Sequence, residues 1–458
     1  MNTAATPPVP VASAKPYAPR QAMAVTAVLA AMVLVVLNTT MTTAALPALA
    51  KALQAAPASA IWVLTAYQAA LLMALMPCAA LGESLGYRRV FTAGVWLFTG
   101  TSLLCALAPT LPWLVAARFV QGLGGAAIMA LGVALLRSVV AQHQLGTAIG
   151  WNTLTVALSS AAGPVIGATL LALASWPWLF AVHLPLGLGV LLAVRALPQI
   201  KGSSHPLRLT SMLLNAGVFA ALISAAGCLP KRLVLASVLV AGSAVQLWWL
   251  VGREGREAAP LIPLDLLAAR AFRLSVIASV LCFAGQTAGM VALPFFLQRA
   301  FGLGNLQIGL YLMLWPLTVA CMAPFAGRLA DRLATARLCV VGGICMGAGL
   351  SAASQLPAMG LTPIVLVPLV MLCGMGFSLF NVANNRAMFL STPMARSGAA
   401  GGIQGTARLL GQTAGGVIIT LTLEVFASSL ALRVGLGIGA VLTFLSAGCC
   451  LLQDRQRP

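Results

Sequence analysis

The chain has 458 residues, of which 60% are hydrophobic and only 7% charged. A soluble globular protein carries about 25% charged residues, so the composition excludes an ordinary water-soluble domain and points to an all-α membrane protein. The net charge of +19 invites a nucleic-acid reading, but no basic patch interleaved with aromatics appears, and nucleic acid is excluded as a partner.

The chain opens on a Pro/Ala-rich stretch, residues 1–21, read as a disordered cytoplasmic N-terminus without a removable leader. A helix that crosses the bilayer needs roughly 20 mostly apolar residues. Fourteen segments qualify: 22–49, 59–81, 90–108, 112–138, 146–172, 176–197, 210–229, 232–252, 273–298, 305–326, 337–356, 362–389, 399–424 and 429–452, or twelve if the pair 210–229 and 232–252, joined by one short turn, does not cross. They divide into a six-helix bundle over 22–198, a linker with two extra transmembrane helices over 199–252, a cytoplasmic loop over 253–272, a second six-helix bundle over 273–452 and a cytoplasmic tail over 453–458. With the N-terminus in the cytoplasm, most of the 26 Lys and Arg residues flank cytoplasmic segments, among them Arg88, Arg89, Arg195, Arg328 and Arg332. That asymmetry is the positive-inside pattern and puts both termini in the cytoplasm.

Two loops repeat one another. GESLGYRRV (82–90) follows the second span and GRLADRLATARL (327–338) follows the tenth. Each sets an acid, Glu83 or Asp331, beside arginines at the same point of its half. They read as a gate that ties helix ends together by ion pairs, or as charges that only fix topology. Repeated halves place a substrate site near the bilayer midplane between them. The connection over 253–273 reads either as a solvated linker or as a segment lying on the membrane surface through Leu264, Leu266, Leu267 and Phe272.

Inside the spans, the polar residues stand out. Arg118 and Arg408 lie in otherwise apolar stretches, where a cation costs several kcal/mol unless it faces protein or a wet cavity. Gln404, Arg408 and Gln412 recur every four residues and share one helix face, which reads as cavity lining or as helix–helix glue. Gly163-Pro164, with Gly167 one turn on, thins and bends the fifth span, or simply packs it. The ten cysteines show no metal or redox spacing. No phosphate-cradling loop or nucleophile triad is found, so no cofactor, no metal and no enzymatic activity are expected.

Several motifs together resemble the major facilitator superfamily, in particular the fourteen-helix drug:proton antiporter branch that includes QacA-like multidrug exporters. They are LNTTMTTAALP (37–47), WVLTAYQ (62–68), the loop at 82–90, ARFVQGLGGA (117–126), SSAAGPVIGA (159–168) and SWPWLFAVHLPLG (175–187). The resemblance implies two six-helix bundles plus a two-helix insert in a bacterial cytoplasmic (inner) membrane. It also implies a monomer that exports small amphiphilic compounds by alternating access in exchange for protons. It ties Arg118 to proton transfer, 163–167 to the bend that controls leakage, and Glu83, Arg88, Arg89, Asp331 and Arg332 to the gate. Asn38, Gln68, Trp151, Asn152, Gln286, Tyr311, Trp315, Arg408 and Gln412 are candidates for the substrate cavity, as are Trp62 and Tyr67.

One departure matters. The branch carries an aspartate where this chain has Asn38, and an amide neither titrates nor offers a counter-charge to a cation. Only seven acids exist: Glu83, Glu254, Glu257, Asp265, Asp331, Glu424 and Asp454. Glu424 and His183 therefore join Arg118 as candidates for proton coupling, although a solvated Glu424 and a packed His183 are the plainer readings. The alternative function is a dedicated or uncoupled exporter or uniporter of a single neutral or anionic metabolite.

Overall fold

The computed structural model describes residues 19–140, 145–199, 209–228, 232–254, 264–355, 362–392, 397–426 and 428–454. Parts of the expected segments therefore lie outside the described residues: 1–18 of the N-terminal stretch, 200–208 and 229–231 of the linker with its two extra helices, 255–263 of the long connection, 455–458 of the tail, and short connections within both bundles. So does the side chain of Asp331.

The first bundle comprises α1 (Pro19–Ala52), α2 (Pro57–Leu85), α3 (Tyr87–Ala106), α4 (Leu111–Val139), α5 (Leu145–Leu173) and a broken sixth span, α6 (Trp178–Ala181) followed by α7 (His183–Ala193). A hairpin of α8 (Leu209–Cys228) and α9 (Leu233–Glu254) follows. After the short α10 (Leu264–Ala268), the second bundle contains α11 (Arg270–Phe301), α12 (Asn305–Arg332), α13 (Thr335–Gln355), α14 (Leu366–Leu390), α15 (Ser397–Val425) and α16 (Ser428–Asp454). Among the described residues, twelve helices are long and apolar enough to cross a membrane. The other two segments expected to cross are helical, one apolar over a shorter described stretch and one less apolar. In α8 the apolar stretch is Thr210–Ala225, and α15 is diluted by Gln404, Arg408, Gln412 and its glycines.

Small residues set the spacing of the helices, as expected where lipid removes any hydrophobic drive between them. In the first half Gly94 of α3 meets Gly124 of α4, so that a Cβ on Gly124 would lie 2.8 Å from the Gly94 carbonyl oxygen. In the second half Gly342 of α13 meets Gly376 of α14, with a corresponding 2.6 Å approach to the Gly376 carbonyl. Gly94 and Gly342 are each the eighth residue of their helix, so the internal repeat extends from the loops into the packing. Gly86, at φ 97° between α2 and α3, supplies a backbone conformation that other residues rarely adopt.

The halves meet at the end where α1 and α11 finish and α2 and α12 begin. Leu46, Ile61 and Leu64 share one buried cluster with Leu293, Phe296 and Leu297. Gly309 of α12 sits against α5, a Cβ there falling 2.6 Å from the Ala168 Cβ and 2.7 Å from the Pro164 oxygen. Towards the other end this packing stops. No residue is buried over 73–81 of α2, 151–158 of α5 or 316–325 of α12. Each run covers two turns or more, and its side chains are only partly covered or exposed. Packing between the two halves is dense at one end and partial at the other, and the partly covered region between them is a candidate crevice.

The α8–α9 hairpin leans on this assembly. Asn215 Nδ2 donates to the Met73 oxygen at 3.3 Å, and Gly227 abuts the Trp62 ring, so α8 runs antiparallel along α2. It also touches α15. The outer face of α9 is bare and apolar, with Val234 80% and Trp248 78% exposed. The described part of the long connection differs from a surface-lying segment: Leu266 and Phe272 are buried with Met388, Ala400 and Ile403. Its apolar side chains find protein instead of headgroups.

Candidate functional site

Arg118 is completely buried inside the first bundle. Its Nε donates to the Val63 oxygen at 3.0 Å. Its Nη1 donates to Asn38 Oδ1 and, at 2.5 Å, to Gln121 Oε1. Gln121 in turn donates through Nε2 to Ser102 Oγ at 2.7 Å. The Tyr67 ring lies 4.2 Å from the guanidinium carbon and the Phe180 ring 5.6 Å away. The glycines of the fourth-span motif make this possible: a Cβ on Gly125 would stand 2.8 Å from the Tyr67 hydroxyl, and one on Gly122 would strike the Tyr67 backbone oxygen. Their absence of side chain lets α4 press against α2 and lays Tyr67 over the cation.

This clamp is made wholly of neutral acceptors and π faces. Among the described residues no carboxylate touches Arg118, and the amide of Asn38 occupies the place where a counter-ion could sit. The Asn38 Nδ2 and Arg118 Nη2 atoms lack hydrogen-bond partners. Arg118 is thus sealed in protein and is no part of the crevice wall. Sequence reasoning missed Val63 and Ser102, because a backbone carbonyl from another helix and a lone serine leave no pattern in the chain. His183 is also buried, set edge-on to Phe98 with ring centroids 6.3 Å apart, and both its nitrogens lack partners among the described residues.

The 163–167 motif has two working faces. Gly163 and Gly167 receive α1 at Thr40 and Met41, with a Cβ on Gly167 only 3.1 Å from the Met41 Cα. Pro164 and Ala168 face Gly309 of the other half. The helix runs unbroken through Pro164, so the motif serves as a two-sided contact between α1 and α12.

The residues expected in the cavity spread over α2, α5, α11, α12 and α15. Gly411 and Gly415 of α15 pack on the backbone of α11, at Val280 and Ala284, whereas Gly405 and Gly416 face Leu75 and Thr65 of α2. At 100° per residue, Arg408 falls on the arc between those two contacts and points inward between the halves. It is half-buried, and its Nε has no partner. Gln68 Oε1, Asn152 Oδ1, Gln286 Oε1 and Trp315 Nε1 are likewise buried polar atoms without partners among the described residues. Buried polar groups are almost always paired, so these five atoms, drawn from both halves, are exceptions to that rule. Gln412 and Tyr311 are half-buried and Trp151 is exposed in the partly covered region. Gln404 donates to Asn385 Oδ1 at 3.0 Å, so the polar stripe of α15 divides between glue and lining. Trp62 lies against α8 and Tyr67 on Arg118, which places both outside the crevice.

The remaining charged residues lie at the helix ends. Glu83, Arg89, Arg332 and Glu424 are exposed. Arg88 donates to the Leu197 oxygen at 2.9 Å.

Comparison with known proteins agrees with this architecture. The profile of the Major Facilitator Superfamily matches residues 28–416. An uncharacterized transporter YebQ of Escherichia coli K12 is 40% identical over 90% of this chain and 92% of its own length. Riboflavin transporter RibZ of Clostridioides difficile is 27% identical over 76% of each chain. The tetracenomycin C resistance and export protein of Streptomyces glaucescens is 29% identical over 81% of this chain and 70% of its own. Among solved structures, a POT family transporter in complex with a thioalcohol conjugated peptide superposes with a TM-score of 0.73 at 14% identity, covering 92% of this chain and 94% of that one. At that identity the likeness is one of fold.

Proposed function

This chain belongs to the Major Facilitator Superfamily, and from that premise we propose that it exports small amphiphilic compounds by alternating access, in exchange for protons, as a member of the fourteen-helix branch. It is a multi-pass membrane transporter and not an enzyme. The observation that carries the proposal is the set of buried polar atoms without partners, on Gln68, Gln286, Trp315 and Arg408, contributed by helices of both halves; opening of the halves would offer them to a guest. An apolar pocket with a few polar anchors suits broad recognition. The export and resistance functions named for relatives from Streptomyces and Mycobacterium support the same reading. The α8–α9 hairpin, antiparallel and apolar outside, supports fourteen crossings, with bundles over 22–198 and 273–452. Both termini then face the cytoplasm of a bacterial inner membrane, and the transporter works as a monomer.

A second reading, an uncoupled exporter of one neutral or anionic metabolite, is favoured by the neutral clamp on Arg118. With an amide at position 38, proton coupling falls to His183 or Glu424. One reconstitution separates the readings. In liposomes carrying a pH dye, the first predicts substrate-dependent proton movement; equilibration that ignores the gradient supports the second. A compound-panel susceptibility test in an efflux-deficient host, native against Arg408→Gln, checks the crevice itself. Unchanged susceptibility to every compound would remove Arg408 from the substrate path.

A further inference from the structure

A groove of about 780 Å³ opens on the flank of the first bundle, between α3 and the end of the sixth span. It is remote from the crevice: α3 packs on α2, α4, α6 and α7 and makes no substantial contact with the second half. Its rim is formed by Arg88, Arg89, Arg195 and Gln199, and its floor by Trp96, Leu188 and Leu192. Among the described residues no acid lines it.

The two walls are built alike. On α3, Arg89, Ala93 and Trp96 fall at i, i+4 and i+7, one helix face, and all three are exposed. On the antiparallel α7 and the turn that continues it, Leu188, Leu192 and Arg195 repeat the spacing in reverse, and all three are exposed. Seven residues of helix span about 10 Å. Both walls therefore set a guanidinium at one level and a large apolar side chain about 10 Å below it. Trp96 is 59% and Leu192 66% exposed, in a surface that a bilayer would cover. Arg88 is held at the rim by its bond to the Leu197 oxygen. A cationic rim over an apolar floor, at the end of a membrane bundle, matches a molecule with an anionic head and an acyl tail.

We propose that this groove binds an anionic phospholipid of the surrounding bilayer, its phosphate between Arg89 and Arg195 with Arg88 behind, and an acyl chain against Trp96, Leu188 and Leu192. In the acid–arginine loop at 82–90, Arg89 is thereby assigned to lipid, away from the crevice. The phosphate could equally come from a soluble anion, and the experiment distinguishes the two.

The full chain, delipidated in detergent, is titrated with phosphatidylglycerol, with phosphatidylcholine of the same acyl chains and with inorganic phosphate, and bound lipid is counted by native mass spectrometry. A basic side chain near an anionic surface contributes about a fivefold gain in affinity. Arg195→Gln should therefore weaken phosphatidylglycerol binding about fivefold, and Arg89→Gln with Arg195→Gln about 25- to 30-fold, with phosphatidylcholine unaffected. Trp96→Ala with Leu192→Ser should weaken the lipid and leave phosphate binding unchanged. Equal retention of the two lipids by the native chain, a double arginine variant within twofold of native, or displacement of the lipid by equimolar inorganic phosphate would each overturn the proposal. The arginines are exposed, so an unchanged thermal midpoint confirms that the variants are folded.

Discussion

Asn38→Asp tests the neutral clamp most directly. In the native chain Arg118 has already been stripped of water, so only the new carboxylate must lose its own. A carboxylate at the position of the amide, about 4 Å from the guanidinium centre, gains roughly 4 kcal/mol at an effective dielectric of 20. Its desolvation costs several kcal/mol. The substitution also removes the Nδ2 donor that has no partner, relieving about 1–3 kcal/mol. The balance is a stabilisation of about 1–3 kcal/mol. Asn38→Leu, which takes away the acceptor and leaves the cation with less, should cost about 1.5–3 kcal/mol. Thermal unfolding in detergent, followed by tryptophan fluorescence, should show a midpoint raised by about 2 °C or more in the first variant and lowered in the second. Because position 38 is fully buried and the carboxylate would be held by Arg118, the aspartate variant should gain no resistance to cationic compounds in the susceptibility panel. A midpoint that falls with Asn38→Asp, or one that Asn38→Leu leaves unchanged, would refute the reasoning, and regained cation resistance would show that position 38 communicates with the crevice.

Gly309→Leu drives a side chain into the Pro164 carbonyl and should hold the densely packed end of the halves apart. Labelling of Thr65→Cys, buried at that end, by an impermeant maleimide should rise several-fold while transport falls. Gly122→Ala should lower the thermal midpoint by the equivalent of about 1–3 kcal/mol, since its Cβ meets the Tyr67 backbone. Gly100→Ala, which meets nothing within 4 Å, should raise it by up to about 1 kcal/mol. His183→Asn and Glu424→Gln, assayed for proton flux in liposomes, should between them abolish coupling; unchanged flux in both would reject the idea that protons pass by either.

The spans were legible because apolar length and charge placement are local properties of the chain. Arg118 could be singled out for the same reason, yet the direction in which it points could not. That is decided by the Val63 carbonyl and the Tyr67 ring, which arrive from α2 only when Gly122 and Gly125 allow the approach. The stripe on α15 was visible as a period of four, but its division was not: Gln404 is taken by Asn385, a residue nineteen positions earlier, and Arg408 is left facing inward. Trp62 reads as an aromatic near a cavity until α8 is laid against it. Phe272 reads as a membrane anchor until Met388 and Ile403 cover it. In each case the missing information was the partner.

The hairpin of α8 and α9 breaks the twofold likeness of the two halves. It leans on α2 from one half and α15 from the other, straddling one of the two seams between those halves. The opposite seam, between α5 and α12, carries no such cover among the described residues. A hydrophobic molecule dissolved in the membrane therefore meets one flank of the protein shuttered by the hairpin and the other without that shutter, with Trp151 and Phe325 exposed on it.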